Sequence, residues 1–238
     1  MQSWLVHDVG QVILFVMLIV FFILSVLFLL GAAANEVDWG RPWLNAIDGL
    51  NRIFCRRFHH LQYHDIALPA TGGALVVCNH VSGLDPLLMI AACKRPLRFL
   101  IAREEYERRG LHWLLKGVGC IPVDRKGRPE QALREALRVL RQGEVVALFP
   151  HGHIHLDNAP PRRLKGGVIW LAQQSGAPVV PMRLSGVRGE GRTVSAVLFP
   201  GRARLQGFAP LHCTDDEQAC LQQIADYIEG RADSVGET

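Results

Sequence analysis

The sequence predicts an α/β domain with a mixed, mainly parallel sheet flanked by helices, preceded by one N-terminal transmembrane helix. From residue 72 onward, short apolar segments alternate with longer segments of helical periodicity, which is the pattern of an α/β domain. Residues 145–149 are apolar at every position, as is typical of a parallel strand covered on both faces. An apolar run near the N-terminus adds the membrane helix to this fold.

The apolar run covers residues 12–30, nineteen residues whose only polar member is Ser25. At about 1.5 Å per residue, a helix of this length spans roughly 28 Å, close to the thickness of a bilayer's hydrocarbon core. The alternative is a cleaved signal peptide, because the three alanines at 32–34 resemble a cleavage site. A signal peptide needs a basic segment and a shorter apolar core, whereas the first basic residue here is Arg41. We therefore predict a retained transmembrane helix within residues 1–34.

Charge predicts how this single-pass protein is oriented. The positive-inside rule places residues 35–238 on the cytoplasmic face of the membrane, because basic residues follow the helix closely and none precedes it. The whole chain has 26 basic and 22 acidic residues, and an excess of four is too small to indicate a nucleic-acid partner. It suits the surface of an anionic membrane. The arginines that follow the helix are Arg41, Arg52, Arg56 and Arg57.

The cysteines predict neither disulfides nor a zinc site. There are six, at positions 55, 78, 93, 120, 213 and 220, with no CxxC pair and no regular spacing. In a reducing compartment such residues behave as small buried apolar side chains.

Residues 35–60 predict an amphipathic segment between the membrane helix and the domain at 61–238. Apolar residues recur there in steps of three or four and form one helical face. Tryptophans and a basic end are typical of a helix lying in the membrane interface, but a helix packed on the domain has the same periodicity. Both interpretations stay open. The apolar positions are Trp39, Trp43, Ile47, Leu50 and Phe54.

The remaining elements follow from the alternating pattern. Strands are predicted at residues 74–78, 99–102, 118–123, 145–149, 179–184 and 194–198, and helices at 86–93, 104–116, 129–142 and 164–174. A last helix is predicted at 214–229, with Thr214 as N-cap and Glu217 completing a capping box.

The segment most informative about chemistry follows the first of these strands. The strand leads into Asn79 and His80, a small polar turn follows, and Asp85-Pro86 opens a helix. Histidine is the side chain best suited to accept a proton near neutral pH, and a carboxylate across the turn could hold its Nδ1–H. The alternative is that Asp85 is an ordinary helix N-cap followed by proline. Backbone N–H groups around residues 81–83 are candidates to stabilise an oxyanion.

Five segments together resemble the glycerolipid acyltransferases, the family of bacterial 1-acylglycerol-3-phosphate acyltransferase. They occur in the family's order, and the resemblance covers about residues 60–210. The segments are Asn79-His80-x4-Asp85; Phe99-Leu-Ile-Ala-Arg103-Glu104; Gly119-Cys-Ile-Pro-Val-Asp124-Arg125; Leu164-Lys165-Gly166-Gly167; and Ala177-Pro-Val-Val-Pro181.

The resemblance implies a fold, a reaction and a set of site residues. The implied fold is glycerolipid acyltransferase-like, with residues 61–238 as the acyltransferase domain. The implied reaction moves a fatty acyl group from acyl-CoA or acyl-carrier-protein to a hydroxyl of a lysophospholipid, 1-acylglycerol-3-phosphate or a related acceptor, in phospholipid biosynthesis. His80 and Asp85 correspond to the catalytic pair, and Arg103 and Arg125 to ligands of an acceptor phosphate. Membrane lipids are the partners, and neither a metal nor an organic cofactor is expected.

The third family motif differs in this chain. The family pattern Phe-Pro-Glu-Gly-Thr-Arg-Ser is replaced by Phe149-Pro150-His151-Gly152-His153-Ile154-His155. A histidine cannot replace a fixed negative charge, and isoleucine cannot hold a phosphate. We therefore expect acyl transfer to survive, with His151, Gly152 and Lys165 lining the acceptor pocket, while the acceptor stays open. The alternatives are a hydrolase acting on acyl thioesters or lysolipids, and an acyltransferase with a non-glycerolipid acceptor.

The three histidines at alternate positions raise the question of a metal. On an extended segment they would point to one side and could bind zinc or copper. Pro150 and Gly152 instead predict a turn, so no metal site is expected.

Overall fold

The computed structural model describes residues 2–231 except residues 65, 126, 161 and 215, with side chains from residue 10 onward. Its helices are α1 (Gln2–Ala34), α2 (Pro42–Arg57), α3 (Asp85–Ala92), α4 (Arg103–Tyr106), α5 (His112–Gly117), α6 (Pro129–Arg141), α7 (Gly167–Ser175) and α8 (Glu217–Ile228). Its strands are β1 (Gln62–Tyr63), β2 (Ala74–Cys78), β3 (Leu97–Ala102), β4 (Ile121–Val123), β5 (Val145–Leu148), β6 (Val179–Ser185) and β7 (Arg204–Gly207). A 3₁₀ helix covers Val194–Leu198.

The described strands form one mixed, mainly parallel sheet, as predicted. Their order is β1-β7-β6-β2-β5-β3-β4, and only the β6–β7 pair is antiparallel. Central strand β2 pairs in parallel with β5 and β6, so that Val76 lies between Ala147 and Val180. Because β2, β5, β3 and β4 all run the same way, the residues that follow them meet at one edge of the sheet.

A layer of helices covers each face of the sheet, and successive residues of β2 contribute alternately to the two cores between sheet and helices. Val76 and Cys78 join the core on the side of α2 and α3, whereas Leu75 and Val77 join the core under α6, α7 and α8. All five residues of β2 are buried. This explains why the strand is apolar throughout rather than alternating with polar residues.

Helix α1 has the length and composition to cross a bilayer. Its apolar part, Gly10–Ala34, has 25 residues, and an 18-residue stretch within it has a mean hydropathy of 3.4 and no residue buried in the domain. At its end, Gly31 and Gly49 let the backbones of α1 and α2 touch, because a Cβ on either glycine would overlap the other helix. The long helix is therefore attached to the domain through α2.

Helix α2 packs on the domain through a side that carries a buried ion pair. Arg52 is 1% exposed, and its Nε donates to Asp48 Oδ2 at 2.6 Å. The same guanidinium donates to the carbonyls of Ile90, Ala91 and Cys93, which are the free acceptors at the end of α3. The apolar stripe predicted for this segment is only half-buried from Trp43 onward. Apolar periodicity missed the buried side because two of its members are charged.

One predicted element is wrong, and two others differ in detail. Residues 194–198 form the 3₁₀ helix instead of a strand, since only Ala196 among them is buried. The helix predicted at 104–116 is split into α4 and α5, with Gly110 at φ +84° in the turn between them. The last helix begins at Glu217, and its N-cap is Asp216, whose Oδ1 accepts from the N–H groups of Gln218 and Ala219 at 2.9 Å. The carboxylate of Asp216 is thus the cap, and the predicted capping box with Thr214 does not form.

The prediction that none of the six cysteines forms a disulfide is also wrong for one pair. Cys213 and Cys220 form a disulfide, with Cα atoms 5.6 Å apart. The start of α8 folds back toward the preceding segment and brings the two side chains together, which their spacing of seven did not indicate. The other four cysteines are free and buried.

Candidate active site

His80 and Asp85 form a hydrogen-bonded pair at the carboxyl end of central strand β2. His80 follows the strand, Asp85 is the first residue of α3, and the His80 Nδ1···Asp85 Oδ2 distance is 2.8 Å. The His80 side chain is 17% exposed, whereas Asp85 is fully buried. A carboxylate accepts the Nδ1–H, so Nε2 is left as the basic nitrogen.

Asp85 orients the whole turn before α3. Its Oδ2 also accepts from the backbone N–H of Val81 at 2.7 Å and of Ser82 at 2.9 Å, and its Oδ1 accepts from Ser82 Oγ at 2.7 Å. These donors satisfy a buried carboxylate that would otherwise be costly. The side chain points back to the turn and does not cap its own helix, so the N-cap alternative is wrong.

The same bonds correct the expected oxyanion donors. The N–H groups of Val81 and Ser82 are used by Asp85, and the N–H of Gly83 donates to the Arg192 carbonyl at 2.9 Å. All three are therefore engaged within the protein. The turn folds its own N–H groups inward, which spacing along the chain does not reveal.

Two further contacts fix the position of His80. Its ring lies on the ring of Phe149 from the end of β5, with centroids 4.0 Å apart and planes inclined by 12°. Asn79 joins β2 to β6: its Nδ2 donates to the Leu184 carbonyl at 2.9 Å, and its Oδ1 accepts from the Leu184 N–H at 2.7 Å. Sequence reasoning missed the role of Phe149, because only strand order shows that β5 lies beside β2.

Among the described residues next to His80, neither the hydroxyl of Ser82 nor the thiol of Cys78 is set up as a nucleophile. The hydroxyl of Ser82 donates to Asp85. Cys78 is buried, and burial raises the pKa of its thiol well above the usual value, which disfavours a thiolate. Neither group is therefore an activated protein nucleophile.

Arg103 and Arg125 lie at the same edge of the sheet as His80. They follow β3 and β4, whose last residues pair as Ala102 and Val123. Both arginines are exposed, and Arg125 Nη1 lies 4.0 Å from Glu104 Oε1. Within the described residues the guanidinium of Arg103 has no ion pair. Two cationic forks thus stand on neighbouring strand ends, a suitable arrangement for holding a phosphate.

The divergent third motif forms a turn that contacts the segment carrying His80. The His155 N–H donates to the His80 carbonyl at 2.7 Å. His151 is 2% exposed, its ring stacks on His155 with centroids 4.5 Å apart, and its Nε2 lies 3.5 Å from Glu229 Oε1 after α8. Burial and the neighbouring His155 lower the pKa of His151. No sequence signal connected Glu229 to this motif.

Gly152 and Lys165 are in contact across this turn. Gly152 has φ +77°, and a Cβ at this position would lie 2.5 Å from Lys165 Nζ. The Lys165 N–H donates to the Pro150 carbonyl at 3.1 Å, which ties the two segments together. The residues predicted to line an acceptor pocket are therefore brought together.

The histidines do not converge on a metal position. His151 and His155 stack face to face, and the Nε2 of His153 contacts a guanidinium nitrogen of Arg162. Burial and Arg162 lower the pKa of His153. Among the described residues, no group of three or more His, Cys, Asp or Glu side chains is placed to hold a metal ion. The turn at Gly152 rules out the extended segment on which such a site would depend.

Fold and site together define an α/β enzyme with a histidine–carboxylate pair at the end of its central parallel strand. A family model described as "Acyltransferase" matches residues 60–185, more than half of the chain. The chain belongs to this acyltransferase family, as the ordered motifs predicted.

Individual relatives agree with this assignment. The chain is 26% identical over 155 residues to the 1-acyl-sn-glycerol-3-phosphate acyltransferase of Bacillus subtilis. The aligned region covers 64% of this chain and 74% of that protein. It is 34% identical over 122 residues to a Mycoplasma pneumoniae protein named "Probable 1-acyl-sn-glycerol-3-phosphate acyltransferase", covering 48% of this chain and 45% of that one. The crystal structure of the acyltransferase PlsC from Thermotoga maritima matches with a TM-score of 0.65 at 21% identity. This match covers 83% of this chain and 81% of that one, and it confirms the fold.

Proposed function

We propose that this enzyme transfers a fatty acyl group from acyl-CoA or acyl-carrier-protein to a hydroxyl of a lysophospholipid, 1-acylglycerol-3-phosphate or a related acceptor, in phospholipid biosynthesis. The observation that carries the proposal is the His80–Asp85 pair, with Nδ1 bound to a fully buried carboxylate and Nε2 without a hydrogen bond to any described residue. The names of the B. subtilis and M. pneumoniae relatives support this choice of acceptor.

The proposed reaction is a direct transfer between two bound substrates. His80 Nε2 takes the proton of the acceptor hydroxyl, and the oxygen attacks the thioester carbonyl. The carbon–sulfur bond then breaks, and the departing thiolate takes the proton from the imidazolium. Asp85 keeps the ring in the correct tautomer throughout and stabilises its cationic form.

Basic side chains at the same edge would hold the acceptor. Arg103 and Arg125 each offer a planar fork to a phosphate, and Lys165 over Gly152 offers a point charge. His151, buried and close to Glu229, replaces the family's carboxylate with a side chain that donates as well as accepts. This difference would alter the preferred acceptor while leaving the catalytic pair intact.

The membrane attachment is part of the proposal. Residues 1–34 would span the bilayer, residues 35–60 would lie at its surface, and residues 61–238 would form the acyltransferase domain on the cytoplasmic face. The length and exposure of α1 support the span, and the arginines after it support the orientation. Acyl chains and lysolipid are already concentrated at this surface.

A single experiment separates transfer from hydrolysis. Purified full-length protein in lipid vesicles is given acyl-CoA or acyl-carrier-protein, with and without 1-acylglycerol-3-phosphate, and both acylated lipid and free fatty acid are measured. We expect lipid product only with the acceptor, and loss of the product in His80→Ala but not in the matched exposed variant His64→Ala. Equal release of fatty acid with and without the acceptor would instead identify a hydrolase.

A second experiment identifies the acceptor without assuming which lipid it is. Lipid mass spectrometry compares cells that lack the protein with cells that overproduce it or its His80→Ala variant. We expect a phospholipid with one added acyl chain to rise only with the active protein. A product that carries no glycerophosphate would move the assignment to a non-glycerolipid acceptor.

A further inference from the structure

The loop between β6 and β7, residues 186–203, leaves large apolar side chains in water. Val194 and Leu198 of the 3₁₀ helix are 52% and 71% exposed. The inner side of the same loop is anchored: Val187, Ala196 and Ala203 are buried in the core on the α2–α3 side. The loop is thus a firmly packed element with an apolar tip, not a loose segment.

The two ends of the loop lie against each other at Gly186 and Gly201, and this region is called the neck. A Cβ on Gly186 would overlap the Arg202 carbonyl, and Gly201 lies against Gly186 and the backbone of Arg188. Near the tip, Gly189 lies against Ala196. Closed ends and internal packing make this a compact loop that presents its tip as one unit.

Three arginines without acidic partners among the described residues lie in the same loop, Arg188 and Arg202 at its neck and Arg192 beside the tip, against one exposed acidic residue, Glu190. Arg188, Arg192 and Arg202 are exposed, and in the part of the chain that the structure describes none forms an ion pair. Arg192 instead lies over the ring of Phe199, with 4.7 Å from its guanidinium carbon to the ring centroid. Elsewhere, several arginines do pair with carboxylates, among them Arg56, Arg98, Arg183 and Arg231.

The position of the loop relates its tip to both the active site and α1. Gly83 N–H donates to the Arg192 carbonyl and Gly191 N–H to the Val81 carbonyl, each at 2.9 Å. The Ala203 N–H donates to the His59 carbonyl, just beyond α2, and α2 is the helix that holds α1. The loop therefore joins the turn that carries His80 to the side of the domain that carries the apolar helix.

We propose that the 186–203 loop is a second membrane contact, whose apolar 3₁₀ helix enters an anionic lipid surface while its arginines bind the lipid phosphates. Exposed apolar side chains on an element that also carries arginines are the chemistry of an interfacial element, and the net positive charge of the loop favours an anionic surface. The contact would hold the catalytic turn against the bilayer at a point separate from α1.

The test places an environment-sensitive fluorophore on Leu198→Cys in the full-length protein. The remaining free cysteines are buried, so the introduced one is the site available for labelling. Gln131→Cys on α6, exposed on the opposite side of the sheet, is the matched control. Only protein that floats with the vesicles is measured, which separates loop insertion from attachment through α1.

In vesicles containing phosphatidylglycerol, we expect a blue-shifted emission at position 198 that is quenched by lipid-borne quenchers, and neither effect at position 131. Each arginine near an anionic surface strengthens binding about fivefold. Arg188→Gln combined with Arg202→Gln should therefore lower the ratio of membrane-inserted to water-exposed loop about 25-fold. The pair Arg128→Gln and Arg134→Gln on the other side should have no effect.

A probe at 198 as exposed to water as the probe at 131 would overturn the proposal. Equal insertion into phosphatidylcholine vesicles would overturn the assignment of the arginines to lipid phosphates. The measurement does not depend on acyl transfer, so its failure and the failure of the proposed reaction are distinguishable.

Discussion

The ring of His80 lies flat on the ring of Phe149, with centroids 4.0 Å apart, while its Nδ1 is held by Asp85 from the edge. The two contacts act at right angles to each other: one fixes the plane of the imidazole and the other its rotation within that plane. A base held in this way keeps Nε2 at one position without support from the substrate.

Replacing the stacked ring should therefore reduce catalysis more than binding. We expect Phe149→Leu to lower kcat by about 10- to 100-fold, because displacing a catalytic group by about 1 Å slows the chemical step by about this factor. KM for the acyl donor should change little. The matched variant Phe208→Leu removes another stacked ring, that on Tyr227, and should leave kcat unchanged. An unaltered kcat in folded Phe149→Leu would show that Asp85 alone positions the base.

Asp85→Asn should nearly abolish turnover. The amide cannot hold Nδ1–H in the same way, so the ring loses its fixed tautomer, and we expect kcat to fall by about 10³–10⁴-fold. Asp38→Asn, at an exposed aspartate, is the control. Thermal unfolding should be recorded beside the kinetics, because Val81 and Ser82 also lose an acceptor. A loss of less than tenfold would contradict the orienting role of Asp85.

Gly152→Ala separates backbone strain from displacement of Lys165. Both Gly152 and Gly176 have positive φ, +77° and +68°, so alanine at either position should cost about 1–2 kcal/mol of unfolding free energy. Only at position 152 does the new Cβ meet Lys165, because the space around Gly176 is open. We expect KM for an anionic acceptor to rise in Gly152→Ala and not in Gly176→Ala. Equal KM values in the two variants would remove Lys165 from the acceptor site.

The protein should lose stability in mild acid, in part through His59. This residue is buried edge-on against the stacked rings of Phe54 and Phe58, and burial lowers its pKa from 6.5. The unfolded chain then takes up the proton first, so stability is complete above about pH 6.5 and declines as the pH falls below it. Between pH 7.5 and 5.5, His59→Phe should show a smaller drop in Tm than the unchanged protein or the exposed variant His64→Phe. An identical drop in all three proteins would assign the acid sensitivity to other groups, such as His151.

The buried pair Arg52–Asp48 should be costly to break on one side. In Arg52→Met, the Asp48 carboxylate and the last carbonyls of α3 lose their donor, and we expect a loss of about 3–5 kcal/mol. Adding Asp48→Leu should recover part of this loss, because no unpaired charge stays buried. Arg57→Met, at an exposed position of the same helix, should change the free energy of unfolding by less than about 0.5 kcal/mol. Denaturation in detergent measures all of these variants.

Elements were predicted correctly from the sequence where their local residue pattern matches their burial in the fold. Strand β2 was predicted with its observed bounds, and α6 nearly so, because an unbroken apolar run and a leucine stripe each belong to one environment. The errors fall where tertiary contacts override local preference. The 3₁₀ helix at 194–198 has the composition of a strand, but β6 already pairs with β2 and β7, and β7 with β1 and β6, so neither strand has a free edge for it.

The sequence by itself determined the chemistry available to this protein: a base and a carboxylate after a buried strand, arginines after two others, and an apolar helix long enough for a bilayer. These features are local, so the order of residues suffices to show them. Only the tertiary structure decided which groups meet. Phe149 reaches His80, and Glu229 reaches His151, across 69 and 78 positions of the sequence. Such contacts depend on strand order and on the return of α8 to the sheet, and no pattern within one segment encodes them.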